Sequence, residues 1–218
     1  FETLALLPFL TAVLLSRLRT GALAIWALCV LSIMVKHVAV FQVWALFVAL
    51  WGWRKATLRM VAALALFTLS FAPYLPDGYA RIVDRVLLYS SWTGRFGLGL
   101  VLPESINAVL LYGVLLLIPI VGVRLKFTTD EIMSLSFLGF PVFTHGMNQK
   151  LFIPTLAWLS ISPKAAWFVV TIGAALTMVL PAALWGISMS IAWIACIVAF
   201  MTVLRAARFR TKIVAEVG

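Results

Sequence analysis

Charge is scarce in this sequence. Asp, Glu, Lys and Arg together make up 11% of its 218 residues, and only 7 of them are acidic. A soluble domain of that length with 64% hydrophobic residues would have to carry a greasy exterior, so the composition points to a membrane-embedded chain. Cysteine is nearly missing. Cys29 and Cys196 both fall inside apolar runs, with neither metal-ligand nor disulfide spacing, and read as core residues that imply nothing about redox compartment. There is no HExxH, Walker loop, Gly-rich dinucleotide motif or Cys/His metal spacing. Internal repeats are lacking too. The chain opens on Phe1 without a charged leader and cleavage pattern, which is the expectation for the C-terminal part of a longer protein.

What is there is basic and apolar. The net charge of +10 would suit nucleic acid, but the Lys and Arg residues lie in short clusters between apolar blocks, as in membrane loops, so no nucleic-acid partner is expected. The apolar blocks cover residues 4–16, 22–35, 38–53, 58–75, 106–123, 132–144, 151–161 and 165–204. A helix that crosses the hydrocarbon needs about 20 residues, so the last block reads as two helices turning near Pro181. The expectation is an all-α, polytopic transmembrane helical bundle of about eight or nine membrane segments. Residues 1–218 would form a single transmembrane domain, multi-pass in the cell membrane if the source is prokaryotic. Several blocks are short, which predicts thin or tilted helices.

Lys and Arg in the loops set the orientation. With the tail from Arg205 to Lys212 on the inner side, counting back one span at a time places 12 of the 17 basic residues inside. Lys36, Arg81, Arg85, Arg95 and Lys150 stay outside. The outer face then also holds Glu2, the connection 76–105 and the turn from Thr144 to Lys150, and with them nearly all the residues able to do chemistry.

Three constellations lie on that face. Lys36-His37 could be a helix end, with the lysine snorkelling and the histidine at the headgroups. Equally, a cation placed against the topological bias near the membrane is a functional candidate that could hold a lipid-linked phosphate. In the loop 76–105, Ile82, Val83, Val86 and Leu87 recur at helical spacing and predict an amphipathic interfacial helix. After it, Tyr89, Trp92, Arg95 and the flexible glycines could grip sugar and phosphate, or form an ordinary aromatic belt. His145, Asn148 and Gln149 offer a proton carrier and amides, or a simple turn. Asp130-Glu131, beside Thr128-Thr129, reads as a helix N-cap on the inner side.

In order along the chain, Val35-Lys36-His37-Val38-Ala39-Val40-Phe41 is followed by a helix carrying Trp53-Arg54-Lys55. Then come the Tyr89-to-Gly97 stretch with Phe96-Gly97 and the Phe143-to-Pro154 segment. Together these resemble the multi-spanning GT-C glycosyltransferases that use polyprenyl-phosphate sugars, mannosyltransferase-like members in particular. The resemblance implies transfer of a hexose, mannose by likeness, from a polyprenyl-phosphate donor to a glycan or lipid acceptor on the extracytoplasmic face. It implies substrate-binding roles for Lys36, His37, Tyr89, Trp92, Arg95, His145, Asn148 and Gln149, and leaves open a divalent cation as cofactor. The family's catalytic acid sits in a first outer loop, which would lie upstream of Phe1. Glu2 is acidic and on the expected face, but its surroundings do not mark it as the base.

Two other classes fit the same composition. A transporter or flippase for a lipid-linked or amphipathic solute would explain the helices, although such proteins carry repeats and midplane polar groups that are not found here. A non-catalytic subunit of a membrane complex would explain the missing acid.

Overall fold

The structure is a computed structural model that describes residues 2–18, 21–74, 102–144 and 185–217, together with single positions 78, 98, 155, 158 and 171. The described residues are all-helical, with six α-helices and two short 3-10 turns. The α-helices are α1 (Glu2–Arg17), α2 (Ala22–Val35), α3 (Val40–Leu69), α4 (Glu104–Arg124), α5 (Thr129–Phe143) and α6 (Trp185–Val217). The chain divides into two compact units, Phe1–Ser91 and Trp92–Gly218.

Unit 1 is built from antiparallel passes. α1 packs along α2, and the fully buried Ser32 hydroxyl near the end of α2 donates to the Ala5 carbonyl near the start of α1 at 2.8 Å. The end of one helix therefore meets the start of the other. Lys36, extended at φ −149° and ψ 108°, stops α2, and the 3-10 turn His37–Ala39 leads the chain back into α3. The facing side chains Ile25, Cys29, Ile33, Val43, Phe47 and Val48 are buried between the passes, and Cys29 is the core residue its apolar setting predicts.

α3 is not one rod. Its backbone breaks at Gly52, with φ 72° and ψ 159°, a region open in practice only to glycine. Eight residues of straight helix rise about 12 Å. Yet the Arg59 guanidinium lies 3.7 Å from the ring centroid of Trp51, eight positions earlier. The Trp26 indole N–H, in the second turn of α2, also donates to the Arg59 carbonyl at 3.0 Å. The break thus turns the chain back toward the start of α2. It falls where the expected segments 38–53 and 58–75 part.

Unit 2 is organised around α5, which packs against both α4 and α6 and is buried without interruption from Ile132 to Gly139. Glycines let α4 and α5 approach closely: a Cβ on Gly122 would lie 2.7 Å from Ile132 Cγ1, and one on Gly139 2.9 Å from Ile118 Cδ1. The buried polar groups are paired. The Trp158 indole donates to the Ser134 hydroxyl at 3.0 Å while its ring stacks on Phe137 at 5.5 Å, and the Trp193 indole donates to the Val142 carbonyl at 3.0 Å. At its start α5 carries the N-cap expected at Asp130-Glu131. Thr128 Oγ1 accepts from the Glu131 N–H at 3.2 Å, and Glu131 accepts from the Thr128 N–H at 2.7 Å. Arg210 of α6 closes on the same carboxylate with bonds of 3.0 and 2.7 Å. Burial pushes the Glu131 carboxyl up, but the hydrogen bonds from Arg210 and Thr128 outweigh it and hold the group below its ordinary value.

Eight or nine membrane segments are not what the described residues contain. Two stretches, Val40–Tyr74 and Met189–Lys212, are long and apolar enough to cross a membrane. The helices Leu4–Arg17 and Ala22–Val35 are apolar but shorter than about 20 residues, Val109–Arg124 is the apolar part of the 21-residue α4, and the blocks 38–53 and 58–75 form the two arms of the interrupted α3. The expected segment 151–161, the first half of 165–204 and the amphipathic helix of the 76–105 loop lie outside the described residues, apart from single positions. Only 17% of the apolar stretch in α3 and 28% of that in α6 is buried, and Leu23, Leu58 and Val109 stand more than 70% exposed. Those windows turn much of their apolar surface outward, while the start of α3, from Gln42 to Val48, is buried.

Nothing lies within 4 Å of a Cβ placed on Gly52, so any cost of substitution there is conformational. Gly52→Ala should lower stability by about 1–3 kcal/mol and reduce the thermal midpoint in detergent. Gly113→Ala, equally unobstructed but inside regular helix, should leave the midpoint unchanged or raise it. Equal midpoints for the two variants would contradict the strained break.

Candidate functional site

Lys36 and His37 occupy the connection between α2 and α3. The Lys36 N–H donates to the Ser32 carbonyl at 3.0 Å and its own carbonyl accepts from Ala39 at 2.9 Å, so the backbone is held at both ends of the residue. The Val40 N–H donates to the His37 carbonyl, which ties the histidine into the start of α3. Both side chains are half-buried. Partial burial first, and the neighbouring Lys36 ammonium second, hold the His37 imidazole below its ordinary pKa. This favours the neutral form of the His37 ring, which can donate from one nitrogen and accept at the other.

The antiparallel passes sort charge within unit 1. Lys36 and His37 share an end with Glu2 and Ala5 of α1. Arg17 closes α1 at the other end, where the Gly52 break also places Arg54, Lys55 and Arg59 near Trp26. From Lys36 to Arg54 is 18 residues, about 27 Å if helical throughout and close to the thickness of a bilayer's hydrocarbon core. Unit 2 gathers its cations likewise: Arg124 ends α4, the Lys126 carbonyl accepts from Arg210 at 3.0 Å, and Arg205, Arg208 and Lys212 lie on the neighbouring turns of α6.

Of the expected binding residues, Lys36 and His37 are described and adjacent. Tyr89, Trp92, Arg95, His145, Asn148 and Gln149 lie outside the described residues. Gln42 was not anticipated. Its amide is buried at 8% exposure, five positions beyond His37, a polar group at the same end of the unit that no spacing pattern singles out. Among the described residues no group of three or more His, Cys, Asp or Glu side chains could hold a divalent cation, so no chemistry is assigned to one. A groove of about 590 Å³ runs along α6, lined by Ile197, Val198, Met201, Thr202, Arg205 and Arg208, and shares no residue with the Lys36-His37 end.

No family model, curated protein or solved structure matches this chain.

The two causes acting on His37 can be separated. Lys36→Gln removes the neighbouring cation and should raise the midpoint of the His37 ring-proton titration by NMR, while the part due to burial persists. In the unaltered protein the unfolded chain takes up this proton before the folded one does. Stability should therefore fall as the pH drops through the ordinary histidine value and level off below the lowered one. A His37 midpoint identical in both proteins would remove Lys36 from the cause.

Proposed function

We propose that this chain is part of an integral, multi-pass membrane glycosyltransferase of GT-C type, moving a hexose from a polyprenyl-phosphate donor to a glycan or lipid acceptor at the extracytoplasmic face. The observation that supports this reading is the separation of Lys36 and His37, at one end of unit 1, from Arg17, Arg54, Lys55 and Arg59 at the other. A multi-pass chain keeps most of its cations on the inner side, so a lysine at the opposite end is placed against the bias and is a functional candidate. Apolar helices flanking that end, with Leu4, Leu7 and Leu31 exposed, would accommodate a lipid tail.

In the reaction, the bond between the sugar's anomeric carbon and the lipid phosphate breaks as the acceptor oxygen bonds to that carbon. The acceptor's proton passes to a carboxylate, and the leaving lipid phosphate takes the bonding electrons. Negative charge therefore grows on the phosphate. The Lys36 ammonium is suited to stabilise it, and the neutral His37 ring to donate a hydrogen bond to it. Arg95 and His145 are the further candidates for that role. Tyr89, Trp92, Asn148 and Gln149 are candidates for holding sugar and acceptor.

A transporter for a lipid-linked or amphipathic solute is the second reading, and the break in α3 favours it, since discontinuous helices build transporter sites. Such breaks serve near the bilayer midplane. Here Arg54 and Lys55 lie two and three positions after Gly52, which suits a break at the membrane surface instead.

Membranes containing the protein with its whole natural chain should transfer radiolabelled hexose from a polyprenyl-phosphate donor. Lys36→Ala should lower that transfer on the order of 10²-fold, as loss of one group that stabilises developing charge does, with the protein still inserted. Normal transfer by Lys36→Ala would remove the residue from the site. Solute or lipid movement without sugar transfer in the unaltered protein would favour the transporter.

A further inference from the structure

We propose that the Gly52 end of unit 1 is a docking site for the phosphate of an anionic phospholipid headgroup, built by Arg54, Lys55 and Arg59 with Arg17 nearby. The inference rests on the chain lying in a membrane and is independent of sugar transfer. Arg59 carries it. Its guanidinium is stacked on Trp51 at 3.7 Å, which fixes the plane of the fork, and its Nη1 is buried with no hydrogen-bond partner. A charged group whose buried nitrogen is unpaired is poorly compensated inside the protein. Arg59 is only half-buried, so the accessible part of its guanidinium is the part that can take an acceptor.

The described protein does not supply one. The only acidic residue among the described positions of unit 1 is Glu2, at the opposite end of the antiparallel pair α1 and α2. Backbone dipoles do not account for the local field either. The first half of α3 ends and the second begins at Gly52, so helix ends of opposite sign meet there and the positive potential comes from the side chains. Arg17, Arg54, Lys55 and Arg59 give this end four cations. Arg54 lies 5.4 Å over the Trp53 ring, and the Trp26 indole holds the segment bearing Arg59 through its carbonyl.

Phosphate matches this set. A guanidinium presents parallel N–H groups to two phosphate oxygens, and neighbouring cations add charge without a geometric demand. A lipid, rather than a soluble phosphate, suits the surroundings. Leu23 and Leu58 are each 74% exposed next to the basic residues, and Val61 is exposed one turn beyond, so apolar surface leads directly away from the cations. Trp26, Trp51 and Trp53 provide the indoles that settle at headgroup depth. A headgroup anchored here would hold the return of α3 in place and leave the Lys36-His37 end unencumbered.

Native mass spectrometry of the intact protein from an uncharged detergent tests this, with phosphatidylglycerol and phosphatidylcholine of equal chain length supplied together. The protein should retain phosphatidylglycerol about ten-fold over phosphatidylcholine, the preference two or so cations confer at a surface. Soluble glycerol phosphate in excess should not displace the lipid. The double variant Arg54→Gln with Arg59→Gln should lower the ratio several-fold, leaving only what Arg17 and Lys55 confer, with helix content checked by circular dichroism. Equal retention of the two lipids by the unaltered protein would overturn the proposal, and displacement by glycerol phosphate would show a free-phosphate site instead. An undiminished preference in a folded double variant would place the site elsewhere. If that variant does not fold, the lipid ratio and competition in the unaltered protein decide. None of these readouts involves sugar transfer.

Discussion

Unit 1 turns on the backbone of one residue. Gly52 takes φ 72° and ψ 159° in the middle of a 30-residue helical run, and no side chain could adopt that conformation without strain. Everything at that end of the unit follows from the turn. Arg59 comes back over Trp51, its carbonyl reaches the Trp26 indole, and the basic residues gather beside the start of α2. A straight α3 would run about 45 Å, longer than a bilayer's hydrocarbon core is thick, and would carry its cations away from the unit. At the other end the extended Lys36 performs the opposite turn with an ordinary backbone, stabilised by its bonds to Ser32 and Ala39.

The two units solve the polar-group problem by the same rule. Apolar surface is left facing outward, while buried polar side chains are matched to a carbonyl or hydroxyl within the bundle: Ser32 to Ala5, Trp26 to Arg59, Trp158 to Ser134 and Trp193 to Val142. In a nonpolar surrounding such a bond is worth keeping because water is not there to replace it. Charge is treated separately. The Glu131–Arg210 pair sits at the mouth of unit 2, where 39% exposure of the arginine keeps it partly hydrated, and it fastens α5 to α6 at the end where the cations collect. Arg59 is the exception, stacked on Trp51 but with a buried nitrogen that makes no hydrogen bond. That exception is what singles out its end of unit 1.

Much of the helical layout is legible in the chain itself, because apolar blocks punctuated by charge are a local signal. Residues 22–35 form α2 with those bounds, 4–16 and 106–123 sit inside α1 and α4, and 132–144 overlaps α5, whose Thr128 cap was readable from four residues. The adjacency of Lys36 and His37, and their separation from Arg17, Arg54, Lys55 and Arg59, follow from the same pattern. What could not be read is non-local or conformational. The bonds that pair the passes join residues 27 and 33 positions apart, and no spacing rule announces them. Gly52 is one glycine among 13, and among the described ones it is marked only by its positive φ. Block counting gives more crossings than the described residues contain because it does not show which blocks are too short to cross a membrane, as Leu4–Arg17 and Ala22–Val35 are. Gln42 went unmarked for a related reason: a lone amide in an apolar helix gains meaning only from burial.

The proposed function requires the two ends of unit 1 to face opposite sides of a membrane. Cysteine labelling tests it directly in a background carrying Cys29→Ala and Cys196→Ala, with single substitutions Lys36→Cys and Lys55→Cys, using a membrane-impermeant maleimide on intact cells. Residue 36 should be labelled from outside and residue 55 only after the membrane is permeabilised. Labelling of both positions from the same side would contradict the separation of the Lys36-His37 end from the Gly52 end.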